Sequence, residues 1–278
     1  MTDVVQTQPR LLIEGHPDLA ARAVQTFTES QHSGADRGAQ TVRVLQYVGR
    51  VIPLPRPLHL LVVGCGPRPR TCAELVSRGH IVTAIEPVEG FAAEARRYLA
   101  GSADVLEGSA ERMAVPDASQ HLVFCESILE HVESPRLSLS EIFRVLRPGG
   151  AAWIITTNRW DFALSGRNGE FTTRFFNWFP PLLQETIVYH HLHYDPTLAN
   201  YSLRPAVHWF TYSSLCRHGR DAGFSRFYSL IDVLTPSDAS VAQSFFRRAV
   251  IGALQRHPFL KALALTQVGH TIIMVKTG

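Results

Sequence analysis

Leu58 to Leu75 reads LHLLVVGCGPRPRTCAEL, and this stretch decides the fold. Its first half, Leu58 to Val63, is short, continuous and apolar, as a strand buried on both faces should be. Three prolines, Pro53, Pro55 and Pro57, end the helix before it and feed this run. Gly64-Cys65-Gly66 then breaks the strand, and the chain enters a helix. In open α/β sheets, ligands bind at such a strand-to-helix turn, and glycine there lets the backbone approach them closely.

From this point strands and helices alternate. The expected elements are strand Leu60–Val63, helix Thr71–Arg78, strand Ile81–Glu86, helix Phe91–Ala100, strand Val105–Glu107 and strand Leu122–Cys125. A helix from about Leu137 to Leu146 follows, stopped by RPGG, and then strand Ala152–Thr156. The alternation predicts an α/β, doubly wound, mostly parallel sheet. Upstream, Leu19–Phe27 and Thr41–Val51 carry helical spacing. From Asn158 to about His208 no period holds, so this aromatic-rich segment reads as an insertion. Helix Thr211–Ala222, strand Phe224–Leu230, helix Val241–Leu254 and strand His270–Lys276 complete the chain. The expected organisation is one domain: N-terminal helices over 1–57, a cofactor-binding core over 58–157, an acceptor-side lid over 158–210 and completion of the sheet over 211–278.

Composition narrows the function. The chain has 278 residues, 45% of them hydrophobic, a formal charge of only +3 and scattered basic residues, so no nucleic-acid partner is expected. Four cysteines without a CxxC pair fit a reduced, cytoplasmic setting, and no apolar run is long enough for a transmembrane segment. Oligomeric state is left open.

The motifs then exclude cofactors one by one. A dinucleotide site needs G-x-G-x-x-G, but the third position is Pro69; no G-x-x-x-x-G-K-[ST] string occurs. What remains is a nucleoside cofactor without a phosphate to cradle, and S-adenosylmethionine is such a ligand. Glu86 ends the next strand about 20 residues beyond the glycines, where a carboxylate can accept from both ribose hydroxyls. Ser109, Ala110 and Glu111, in the loop after the third strand, are placed to meet the adenine edge. Glu126 and Ser127 end the fourth strand above the cofactor, with Glu130 and His131 behind them.

The ordered set LLVVGCG, IEP, GSAE, LVFCESILEHV and EIFRVLRPGG resembles the class I S-adenosylmethionine-dependent methyltransferases, in the subgroup of quinone-biosynthesis and glycan- or natural-product-cluster enzymes. The resemblance covers about Leu58 to Thr157. It implies a Rossmann-like sheet of seven strands, with the last, GHTIIMVK, antiparallel between its neighbours. It also implies a cofactor site at Gly64, Cys65, Gly66, Glu86, Pro87, Ser109, Ala110, Glu111, Glu126 and Ser127. Val62, Arg68 and Ser109 stand where the family more often has an acid, a glycine and an aspartate.

The expected activity is methyl transfer, at oxygen, to a small-molecule or lipid- or glycan-linked acceptor. His131 is the candidate base for the acceptor proton. A non-catalytic S-adenosylmethionine-binding or scaffold protein is the alternative. No metal is expected, because the histidines of HHLHY, His190, His191 and His193, lack partners of ligand type nearby in sequence. Arg159, Arg167 and Arg174 and the aromatics of the insertion, among them Phe176, Trp178 and Trp209, could meet the acceptor or form the lid's own core.

Overall fold

The computed structural model describes residues 37–159, 176, 179–187, 206–268 and 270–277. The expected helix Leu19–Phe27, most of the lid aromatics, Arg167, Arg174 and the HHLHY histidines lie outside these residues.

Seven strands form one sheet in the order β3-β2-β1-β4-β5-β7-β6. They are β1 (His59–Val63), β2 (Ile81–Glu86), β3 (Asp104–Glu107), β4 (Gln120–Glu126), β5 (Leu146–Ile155), β6 (Arg226–Ser229) and β7 (Thr271–Val275). The first five pair in parallel; β7 lies between β5 and β6 and runs antiparallel to both. The chain order reverses between β1 and β4, which places a topological switch at the carboxyl ends of these two strands.

Strand alternation divides the core into two layers. Leu60, Val62, Phe124 and Trp153 face one side, against α1 (Arg37–Gly49), α2 (Arg70–Ser77) and α3 (Glu89–Leu99). Leu61, Val63, Val123, Cys125 and Ile154 face the other, against α4 (Pro135–Val145) and α6 (Tyr212–Asp221), the short helix α5 (Pro181–Ile187) falling between these two in the chain. Helix α1 forms because Thr41, Val44 and Val48 recur at helical spacing and bury one stripe. Its Tyr47 ring stacks on Trp153 of β5, with centroids 6.3 Å apart.

Helix starts follow their caps. The Ser134 side chain accepts from the Leu137 N–H, with Pro135 as the first helical residue of α4. Thr211 and Ser214 form a reciprocal capping box at α6.

Two expectations are corrected. RPGG does not precede the fifth strand but lies within it: pairing runs Gln120↔Leu146 and then Leu122↔Ala151, so Arg147–Gly150 bulge out of the ladder. The expected single helix Val241–Leu254 is broken at Gln243 and Ser244. Following α7 (Leu230–Val233), the chain forms α8 (Ala239–Ala242), α9 (Phe245–Arg256) and a further helix, α10 (Pro258–Val268). Sequence periodicity missed α10 because it is apolar on nearly every side.

Candidate active site

The site is built where the loops after β1, β2 and β3 converge. At Gly64 the backbone turns to φ +68°, a region that L side chains rarely adopt, and Gly66 follows at φ +67°. Gly64 is also hemmed in: a Cβ there would lie 2.1 Å from Cδ1 of Ile128, in the segment after β4. The N–H groups of Gly64 and Cys65 donate to the Ile85 carbonyl at 2.8 and 3.1 Å.

Glu86 ties the three loops together. Its carboxylate accepts the Gly66 N–H on Oε2 at 2.8 Å and the Val88 N–H on Oε1 at 3.2 Å, while its own carbonyl accepts the Gly108 N–H at 3.2 Å. The residue is 4% exposed. Burial pushes its carboxyl above the usual range, and the Gly66 and Val88 amides oppose that push. A carboxylate has about four lone-pair sites, so two N–H bonds leave acceptor capacity for ribose hydroxyls.

Cys65 sits in the same turn, its thiol pushed up to about 12, first by burial and then by the Glu86 charge. It is therefore a neutral, hydrogen-bonding wall residue rather than a nucleophile. Pro87 is exposed beside Glu86.

The loop after β3 places Ser109 half-buried and bridged to Arg112, whereas Ala110 turns into the core with Met113. Glu111 is directed to the start of α4: its Oε1 accepts the Glu133 N–H at 2.7 Å and the Ser134 N–H at 3.4 Å. Glu111 thus holds the loop after β3 to the start of α4.

At the end of β4, the Trp153 indole N–H donates to Glu126 Oε1 at 2.9 Å. Ser127 is exposed, has φ +55° and donates its N–H to the Ile155 carbonyl at 2.8 Å. A non-glycine residue in this conformation costs on the order of 1 kcal/mol and occurs disproportionately at functional sites. His131 is half-buried one turn further on, with its N–H on the Ile128 carbonyl.

Sequence reasoning named Glu130 without a role. It is 1% exposed, and burial pushes its carboxyl up to about 7, opposed by a hydrogen bond from the Thr156 hydroxyl at 2.8 Å. Its carbonyl receives the N–H groups of Val207 and His208, so it fastens the returning end of the insertion to the sheet. His208 Nε2 lies 2.9 Å from the Val132 carbonyl, and burial lowers the ring's pKa, keeping it neutral. Phe176 packs against Trp209 with centroids 5.6 Å apart, so these two insertion aromatics contribute to a core. Among the described residues no cluster of His, Cys, Asp and Glu could hold a metal ion.

Residues 61–154, about a third of the chain, match the family described as methyltransferase domain. A probable S-adenosylmethionine-dependent methyltransferase of Mycolicibacterium smegmatis is 38% identical over 60 residues, 22% of this chain and 23% of that protein, so the match spans under a quarter of the relative's length. The putative methyltransferase solved with the Trm112 methyltransferase activator of Haloferax volcanii aligns over 94% of this chain and 98% of its own, at 14% identity and a TM-score of 0.54. Residues 61–154 thus match a methyltransferase domain, and the chain shares the fold of that solved structure.

Proposed function

We propose that the whole chain transfers the methyl group of S-adenosylmethionine to an oxygen of a small-molecule or lipid- or glycan-linked acceptor, as members of the quinone-biosynthesis and glycan-cluster subgroup do. The observation that carries this reading is the 2.8 Å hydrogen bond from the Gly66 N–H to Glu86, which joins the turn after β1 to the end of β2, beside the switch between β1 and β4.

The chain's own groups fit that cofactor. Gly64 and Gly66 supply close backbone approach, Glu86 supplies acceptors for two hydroxyls, and Ser109 supplies a further polar group in the loop after β3. Bound there, S-adenosylmethionine provides an electrophilic methyl on a sulfonium. The protein's contribution is mainly positioning, because in-line transfer depends on holding the acceptor oxygen close to the methyl carbon and collinear with the sulfur. On this reading Ser127, exposed at the end of β4, and Glu126, held by Trp153, serve that positioning. His131 takes the acceptor's proton.

Calorimetry with S-adenosylmethionine, followed by incubation of the protein with labelled cofactor and a lysate of its own source, tests the proposal. Binding that is lost in Glu86→Ala, together with a labelled product, is the expected result. Absence of binding at millimolar cofactor overturns it, and binding without any labelled product favours a scaffold role.

A further inference from the structure

Helices α9 and α10 pack against each other, turn at His257 and leave an apolar outer surface. Phe245, Phe246 and Phe259 are 80, 74 and 79% exposed, and Leu263 is 60% exposed. No residue of α9 is buried. Between the two helices lies an open apolar pocket of about 470 Å³, lined by Val250, Ala253, Leu254, Leu260, Leu263 and Ala264.

The inner side of the hairpin is fixed. Gln255 donates to the carbonyls of Ile231 and Leu234, and Lys261 pairs with Asp232. Asn158, just past β5, donates to the Thr266 carbonyl at 3.0 Å and so joins the end of α10 to the carboxyl edge of the sheet. The exposed phenylalanines therefore belong to an anchored surface.

Charge selects the occupant. From 239 to 278 the sequence contains no Asp or Glu, whereas Arg247, Arg248, Arg256 and Lys261 all fall on the hairpin. Asp232 is engaged by Lys261 and Asp238 by Arg50, and no ion pair among the described residues involves Arg248 or Arg256. A second copy would bring the same cations against this face and repel it. Exposed Phe and Leu beside Arg and Lys are the chemistry that seats a helix in the interfacial zone of an anionic bilayer.

We propose that the α9–α10 hairpin docks the protein on anionic lipid surfaces, with Phe245, Phe246 and Phe259 inserted and Arg247, Arg248 and Arg256 on the headgroups. No helix among the described residues is long and apolar enough to cross a membrane, so the attachment is peripheral. Through Asn158 this surface is continuous with the edge of the sheet that carries the candidate site.

Sedimentation with vesicles of phosphatidylcholine alone, and of phosphatidylcholine mixed with phosphatidylglycerol, tests the proposal with the full chain. Binding to the mixed vesicles, weakened by salt and much weaker on phosphatidylcholine alone, is expected. Arg248→Gln with Arg256→Gln should weaken binding to the mixed vesicles by about thirtyfold, and Phe245→Ser with Phe259→Ser by at least about tenfold. Circular dichroism and thermal melting should match wild type, since all four side chains are exposed. Equal or absent sedimentation on both vesicle types overturns the proposal. So does a dimer that the phenylalanine pair of changes dissociates, which would make the face a contact between copies. Neither readout depends on methyl transfer.

Discussion

The Gly66 N–H points at Oε2 of Glu86 from 2.8 Å, so the glycine turn and the acid of the next strand are already joined in the protein itself. Glu86 therefore shapes the loop and offers acceptors at once. Glu86→Ala should lower S-adenosylmethionine affinity by at least about tenfold, through two lost charge-assisted hydrogen bonds. Glu86→Gln should fall between, because one acceptor oxygen remains. Calorimetry on the two variants and wild type checks the order.

Gly64 is constrained twice, by φ +68° and by Ile128. Gly64→Ala should cost about 2–4 kcal/mol, combining backbone strain with overpacking. Adding Ile128→Ala should remove the clash but not the strain. A double-mutant cycle by urea unfolding should then give a coupling of about 1 kcal/mol or more, whereas additivity would place the whole cost in the backbone.

Glu130 makes stability depend on pH with an unusual sign. Its folded pKa, about 7, lies above its ordinary value of 4.5, so the folded state holds the proton more tightly than the unfolded chain. The penalty is absent below the lower value and grows as pH rises through the upper one, reaching about 3 kcal/mol by linkage. Glu130→Gln retains an acceptor for Thr156 and should flatten this fall, leaving the variant more stable than wild type at about pH 8. Thermal melting across pH for both proteins measures it.

The four cysteines, Cys65, Cys72, Cys125 and Cys216, are all free thiols whose pKa values burial raises. The native protein should show essentially no fast-reacting thiol with a disulfide reagent near neutral pH, and the unfolded chain should show all four. A rapidly labelled Cys65 would mean that the glycine turn opens readily.

Residue order along the chain located the strand ends at which Gly64 and Glu86 meet. Gly64 and Glu86 were legible because each ends a continuous apolar strand, and adjacent parallel strands bring such ends together. Glu126 could be placed at the edge, but its partner could not: Trp153 reaches it only through the register Phe124↔Trp153, which depends on pairing rather than local pattern. The partners of Glu111 were hidden for the same reason, since they are the Glu133 and Ser134 amides at the start of α4. Helix α10 escaped because a segment apolar all round has no stripe to count. The composition of the insertion suggested an aromatic lid, and the tilted contact of Phe176 with Trp209 shows that these two rings serve packing.

The stack of Tyr47 on Trp153, whose indole in turn grips Glu126, makes α1 a remote steadying arm for a carboxylate at the edge where chemistry is expected. Shortening the protein from its beginning past Arg37 would thus do more than strip away a peripheral helix: it would slacken a carboxylate at the end of β4, which that helix reaches through Trp153, and damage would surface as blurred aim rather than as a missing part.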